Sequence, residues 1–141
     1  KEALEKVQNL DPAWITEVRA LKNPPQGVDN VFFCIMYIFA GVPGGYDANI
    51  ELNKKKMPNN LTWKGGVLKL LSDVGKILRD LMNFPKEIAD DNVPTQNFAA
   101  IMPYFNEESF KDPKLMFKKS KAAGIILEFL ISMKGYYEAM R

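Results

Sequence analysis

The last thirty residues, 112–141, constrain the fold more than any other stretch, because they predict one long helix with a repeating apolar seam. The stretch begins with Asp112-Pro113, an N-cap followed by proline at the first helical position, and it contains no later proline. Its apolar residues alternate at intervals of four and three: Ala122, Ile126, Phe129, Met133, Tyr136 and Met140. This heptad spacing is typical of a coiled coil, so the helix requires a second strand.

The N-terminal end supplies the candidate second strand, since its apolar residues follow the same spacing. They are Ala3, Val7, Leu10 and Trp14. Two short heptad segments at opposite ends of a chain can pair only in antiparallel orientation, and neither would be stable alone. We predict that this seam faces Ala122, Ile126, Phe129 and Met133. The alternative is that each segment is an ordinary amphipathic helix packed on the core.

Between the seams, proline and glycine divide the chain into shorter predicted helices. They run from Pro12 to Leu21, from about Pro25 to Ala40, from Trp63 to Asn83, and from near Pro94 to Tyr104. Asp11 and Thr62 are candidate N-caps, whereas Gly41 and Phe84-Pro85 are expected to end helices. The helix predicted from about Pro25 to Ala40 is apolar on nearly all sides, so we expect it at the centre of an all-α fold.

Residues 42–60 form a long irregular connection, bounded by Pro43-Gly44-Gly45 and by Met57-Pro58-Asn59-Asn60. Ala48, Ile50 and Leu52 alternate with polar residues, which is a weak strand signal. The charge run Lys54, Lys55 and Lys56 is either a solvated loop tip or a mobile basic flap that meets an acidic partner.

Composition excludes most catalytic chemistry. The chain contains no histidine, the commonest general base and metal ligand, and one cysteine, Cys34, whose burial would fit a reducing compartment such as the cytoplasm. It has no phosphate-binding loop and no calcium-loop spacing. We therefore expect no catalytic residue, no metal and no cofactor in this fragment. The net charge of +2 does not indicate nucleic acid, and no apolar run reaches the ~20 residues of a membrane span.

Five short motifs, in order, resemble the stalk tip of dynein heavy chains, and they cover almost the whole chain. They are the segment from Trp14 to Val28 with its proline pair, the apolar helix to Gly41, Thr62-Trp63-Lys64, Asn83-Phe84, and the turn from Lys118 to Gly124. Tyr136 or Tyr137 matches an aromatic residue usual in the returning coil. Two features depart from the pattern: Asp11-Pro12 stand where basic residues are common, and residues 42–60 are longer than in cytoplasmic members.

The resemblance implies a small microtubule-binding helical bundle at the tip of an antiparallel coiled coil. It implies an ascending strand at 1–11, a bundle at 12–121 with a β-hairpin-like flap insert at 42–60, and a descending strand at 122–141. Carried over residue by residue, it nominates a set of contacts for acidic α/β-tubulin: Arg19, Lys22, Lys69, Lys76, Arg79, Lys118, Lys119 and Lys121. We add Lys54, Lys55 and Lys56 as a flap contact.

The resemblance also implies a non-catalytic part of a microtubule motor, in which ATP and magnesium act in a distant ring. The other partner would be the rest of the heavy-chain stalk. The longer insert resembles axonemal dyneins, which favours the cytoskeleton of a cilium or flagellum. The residues leave one alternative open, a helical interaction domain or structural coiled-coil cap for another acidic partner.

Overall fold

The computed structural model describes residues 2–140, except for the side chain of Glu2. The α-helices are α1 (Glu2–Gln8), α2 (Pro12–Arg19), α3 (Val28–Phe39), α4 (Leu68–Leu70), α5 (Val74–Ala89), α6 (Thr95–Ile101), α7 (Pro113–Lys119) and α8 (Lys121–Ala139). A π-helical turn, Trp63–Val67, precedes α4, and two 3₁₀ turns, Met102–Asn106 and Glu108–Phe110, precede α7. Within the described residues there is no strand, which confirms the all-α prediction.

Two helices form the centre of the bundle, α3 and the first half of α8. In α3 the side chains of Val31, Phe32 and Ile38 are all buried, as expected for a helix that is apolar on most sides. From Ala122 to Leu127 every residue of α8 is buried. This helix contacts α1, α2, α3, α5 and α7. The start of α8 is therefore a core helix of a bundle, surrounded by more than one partner strand.

The prediction of one unbroken helix from residue 112 onward is wrong, because the helix is interrupted at Ser120. Ser120 has extended dihedral angles, φ −157° and ψ 123°, and its Oγ accepts a hydrogen bond from the Ala123 N–H at 3.2 Å. It therefore caps a new helix. The N-cap predicted at Asp112 is confirmed, since its side chain accepts from the Lys114 N–H.

Trp14 does not continue the helical seam of α1. Helix α1 ends at Gln8, Leu10 lies in the connection, and Trp14 belongs to α2, which Asp11 caps through the Ala13 N–H. Ala3, Val7 and Leu10 are buried, but Trp14 is only partly buried. The break that Asp11-Pro12 introduces thus separates the last seam residue from the others.

The helix predicted from Trp63 to Asn83 is also divided differently. Thr62 caps its start as predicted, through the Gly65 N–H, but the helix breaks before Asp73, which caps α5. Helix α5 then continues through Pro85 to Ala89. Phe84 and Ile88 extend its buried face, and this packing outweighs the backbone hydrogen bond that proline removes.

The connection of residues 42–60, here called the flap, has no strand of its own. It contains one isolated antiparallel bridge, Leu52 to Pro58, and a tight turn in which the Asn53 N–H donates to the Met57 carbonyl at 2.8 Å. The alternation of Ala48, Ile50 and Leu52 therefore did not predict a strand correctly. The base of the flap is packed into the core, because Tyr46 is buried.

Candidate functional site

The three lysines around Ser120 lie together on the surface. Lys118 and Lys119 occupy the last turn of α7, Lys121 opens α8, and all three side chains are exposed. The extended backbone of Ser120 turns the chain between the two helices. These lysines thus surround a single helix junction, which we call the basic junction.

A tryptophan of α2 packs against this junction. The Trp14 ring meets the Phe117 ring edge to face at a centroid distance of 6.0 Å, and the Lys121 ammonium lies 5.2 Å from the Trp14 centroid. The second contact is a cation–π interaction, which is favourable at this distance. Trp14 therefore connects α2 to both helices of the basic junction.

The connection between α2 and α3 is held at two points. The Lys119 ammonium donates to the Gln26 carbonyl at 2.8 Å, and the Trp63 indole N–H donates to the Leu21 carbonyl at 2.9 Å. The first bond ties this connection to α7, and the second ties it to the π-helical turn. Arg19 and Lys22 lie at the end of α2, beside Leu21, and Lys22 is exposed. The structure thus joins the elements that carry Arg19, Lys22 and the basic junction.

The other predicted contacts differ in how much they are already engaged. Lys69, on α4, and Arg79, on α5, are exposed. Lys76 is only partly exposed, pairs with Asp80 and donates to the Gly45 carbonyl at 2.8 Å. Because those bonds would have to be broken or shared, Lys76 is the member of the set least available to a partner.

The flap tip lies at the other end of α3 from the basic junction. The start of α3 adjoins Gln26, which binds Lys119, whereas Gly41 at its end lies against Lys56. Helix α3 is about 18 Å long at 1.5 Å per residue. Lys54, Lys55 and Lys56 are exposed but are not part of the same surface cluster. The tip is held there by a hydrogen bond from the Gln96 side chain to the Lys55 carbonyl at 2.8 Å.

Helices α1 and α8 are antiparallel where they meet. The Lys6 ammonium of α1 pairs with the Glu128 carboxylate at 2.8 Å, and Trp14, further along the chain in α2, meets Lys121 at the start of α8. The residue numbers therefore rise along the N-terminal segment as they fall along α8. The seam residues Ala122, Ile126, Phe129 and Met133 are buried, and the Phe129 ring also contacts Phe84 of α5 at 6.4 Å.

Sequence reasoning missed the exposed apolar residues of α7. Leu115 is 54% exposed, and Phe117 remains 39% exposed beside Trp14, whereas Met116 between them is buried. The periodicity of a full-length helix conceals this pattern. The break at Ser120 separates α7 from α8, and its signals in the sequence were the serine and the resemblance of the segment from Lys118 to Gly124 to a turn.

Two tyrosines of the bundle, one buried and one partly buried, have raised pKa values. Burial, together with Tyr37 beside it, raises the pKa of Tyr104 to about 12. Burial and the neighbouring Glu87 carboxylate also raise the pKa of Tyr46, whose hydroxyl donates to Glu87 at 2.9 Å. Both phenols are therefore neutral near neutral pH; Tyr46 belongs to the core and Tyr104 packs against it.

Among residues 2–140, no group of histidine, cysteine, aspartate or glutamate side chains is arranged to hold a metal ion. In the same residues, no helix has the length and apolar character needed to cross a membrane.

The whole chain matches one known protein family. The family described as the microtubule-binding stalk of dynein motor matches residues 1–141, which is the whole chain. The chain belongs to the dynein stalk family. It is accordingly a microtubule-binding domain and a non-catalytic part of a heavy chain.

Individual relatives are dynein heavy chains. The stalk domain is 32% identical over 143 residues to dynein axonemal heavy chain 1 of Mus musculus, with 95% of this chain covered. It is 29% identical to dynein axonemal heavy chain 17 of Homo sapiens, with 96% covered, and 25% identical to dynein heavy chain-like protein 2 of Plasmodium falciparum, with 100% covered. The chain spans 3% of the length of each of these relatives. No solved structure matches it.

Proposed function

We propose that this stalk domain binds α/β-tubulin mainly through the basic junction, Lys118, Lys119 and Lys121. The observation that carries the proposal is the exposure of all three side chains around one cap, next to a hydrogen bond that ties α7 to the connection between α2 and α3. The microtubule surface is acidic, so clustered ammonium groups speed the encounter and orient the bound domain. Salt should weaken the interaction, because exposed charges are screened over about 8–10 Å at 0.1–0.15 M.

The remaining cations form a second tier of the proposed contact. These residues are Arg19, Lys22, Lys69, Lys76 and Arg79. Exposure supports Lys22, Lys69 and Arg79, whereas the ion pair with Asp80 counts against a strong role for Lys76. We expect smaller losses of affinity from substitutions in this tier than from substitutions at the basic junction.

Co-sedimentation with microtubules at several salt concentrations tests the proposed contact. Lys118→Glu combined with Lys121→Glu should lower affinity by about tenfold or more, since each change replaces an attraction with a repulsion. Lys86→Glu is the control for a single charge reversal, because Lys86 is also an exposed lysine, near the end of α5. Equal binding by the double variant and the control would refute the proposed contact.

The second part of the proposal concerns control of affinity. Residues 1–11 and 122–141 would be the two strands of the stalk, and residues 12–121 the bundle at its tip. Shifts of one strand against the other would carry the ATP state of a distant motor ring, where ATP and magnesium act. The antiparallel contact between Lys6 and Glu128 supports this, as does Trp14, which joins α2 to the basic junction. In heptad packing each seam side chain fits into a separate hole on the facing helix, so one strand would shift against the other in steps.

The third part concerns location. We infer a heavy chain of the axonemal type, working in the cytoskeleton of a cilium or flagellum, with the rest of the stalk as its other partner. The similarity to dynein axonemal heavy chains 1 and 17 supports this assignment. So does the long flap, whose tip lysines Lys54, Lys55 and Lys56 would make a secondary contact with tubulin.

A further inference from the structure

One surface concavity adjoins the basic junction and is lined in part by Lys119 and its hydrogen-bond partner Gln26. It is a groove of about 790 Å³ between α7, the start of α3 and the 3₁₀ turn Glu108–Phe110. Helix α7 contributes Leu115, Lys118 and Lys119 to its lining, here called the lysine wall, and the segment before α7 contributes Glu107 and Glu108, here called the glutamate wall. Leu115 is 54% exposed, although leucine is among the residue types most often buried. We call this feature the tip groove.

Hydrogen bonds hold both walls of the tip groove in place. Lys119 donates to the Gln26 carbonyl at 2.8 Å, and the Asn30 amide donates to the Glu107 carboxylate at 2.9 Å. Both partners belong to the start of α3 and the residues just before it. The groove is thus preformed, so binding of a ligand would not include the entropic cost of ordering these walls.

Leu115 shares a helix face with the two lysines. Residues three and four positions apart on a helix are neighbours, so Leu115 lies next to Lys118 and Lys119. An isolated exposed leucine needs no explanation. A leucine in a concavity that is also lined by lysines and glutamates instead has the composition of an interface, in which an apolar contact is accompanied by a polar rim.

We propose that the tip groove receives an apolar side chain of the tubulin surface that has a carboxylate beside it, with Leu115 as the apolar contact. This inference rests on the proposed function, because it takes the basic junction as the microtubule contact. The lysine wall attracts the tubulin carboxylate and the glutamate wall repels it, so the groove accepts the ligand in one orientation. The groove thereby adds a salt-independent component to an otherwise electrostatic interaction.

The test is co-sedimentation of the 141-residue chain with microtubules over a range of salt concentrations. Leu115→Ala should lower affinity about tenfold at every salt concentration, because it removes apolar contact and no charge. Lys118→Glu should lower affinity most at low salt. Ile131→Ala is the control, since Ile131 is 41% exposed on the stalk half of α8. Unchanged binding by Leu115→Ala, or an equal loss with Ile131→Ala, would overturn the groove proposal.

Leu115→Lys separates the groove from a purely electrostatic surface. An added cation should raise affinity for an acidic filament if only charge matters, whereas it should lower affinity if Leu115 enters an apolar contact. A rise would overturn the proposal. Because Leu115 is exposed, neither substitution should alter folding, and far-UV circular dichroism verifies this. A loss with Lys118→Glu but not with Leu115→Ala would refute the groove alone, while no loss with either would refute the basic junction as well.

Discussion

At the level of single residues, Gly124 sets how closely α7 lies against α8. A Cβ atom at this position would come within 2.5 Å of the Phe117 Cα, which is a backbone atom that cannot easily move aside. Gly135 is on the same helix, and a Cβ atom there would meet nothing within 4 Å. The two glycines therefore provide a matched pair for testing the packing of the basic junction.

We predict opposite effects on stability from the same substitution at these two glycines. Gly124→Ala should destabilise the domain by about 1–3 kcal/mol, because the overpacked methyl group pushes α7 away from α8. Gly135→Ala should be neutral or stabilise by up to about 1 kcal/mol, since alanine is the better helix former. Urea unfolding followed by circular dichroism measures both. If Gly124→Ala were as stable as the parent, the close packing of α7 on α8 would be wrong.

Short-range signals in single residues were predictable from the sequence. The caps at Asp11, Thr62 and Asp112 were all correct, because each depends on a side chain and a backbone N–H two or three residues later. The role of Trp14 was not, because its contacts with Phe117 and Lys121 join residues more than one hundred positions apart. The heptad spacing predicted that Trp14 belongs to the seam of α1, but α1 ends at Gln8, before Trp14.

At the level of elements, the errors concern where helices break. Serine is a favoured N-cap, so the break at Ser120 agrees with its local tendency and was concealed by the assumption of one continuous helix. Helix α5 instead continues through Pro85, where proline usually ends a helix, because Phe84 and Ile88 are buried around it. The order and type of the helices could be predicted, whereas the length of α5 depended on contacts between distant elements.

The base and the tip of the flap differ in how they can be altered without disturbing the core. Its base is fixed by Tyr46, which packs on Phe39 at a ring distance of 5.4 Å, so deletion of the whole segment would damage the core. Charge reversal at the tip avoids this difficulty, because Lys54, Lys55 and Lys56 are exposed.

We predict that reversing all three flap lysines to glutamate lowers microtubule affinity at low salt. The loss should be smaller than that caused by Lys118→Glu with Lys121→Glu, since the flap tip lies about 18 Å along α3 from the basic junction. It should also fade as salt rises, because exposed charges are screened. Co-sedimentation measures the affinities, and an unchanged affinity at low salt would exclude the flap contact.

At the level of the whole molecule, α8 has two roles along its length. Its first half is the core helix against which α2, α3 and α7 pack, and its contact with α1 includes the ion pair between Lys6 and Glu128. Any shift of α1 along α8 must therefore be accommodated by a helix that also supports the basic junction. The sequence predicted the two strands and the lysines, but the direct connection between them, Trp14, came only from the structure.

Locking α1 and α8 in two alternative registers tests most directly whether their register controls microtubule affinity. A short bismaleimide crosslink between Lys6→Cys and Glu128→Cys holds the register seen here, and one between Lys6→Cys and Ser132→Cys holds a register shifted by one helical turn, about 5.4 Å. The native Cys34 should not interfere, because it is fully buried and burial raises the pKa of its thiol. The measurement is the microtubule affinity of each crosslinked form by co-sedimentation. We predict that the two differ by about fivefold or more, the range expected for coupled sites; equal affinities would contradict control of the tip by the register of the stalk.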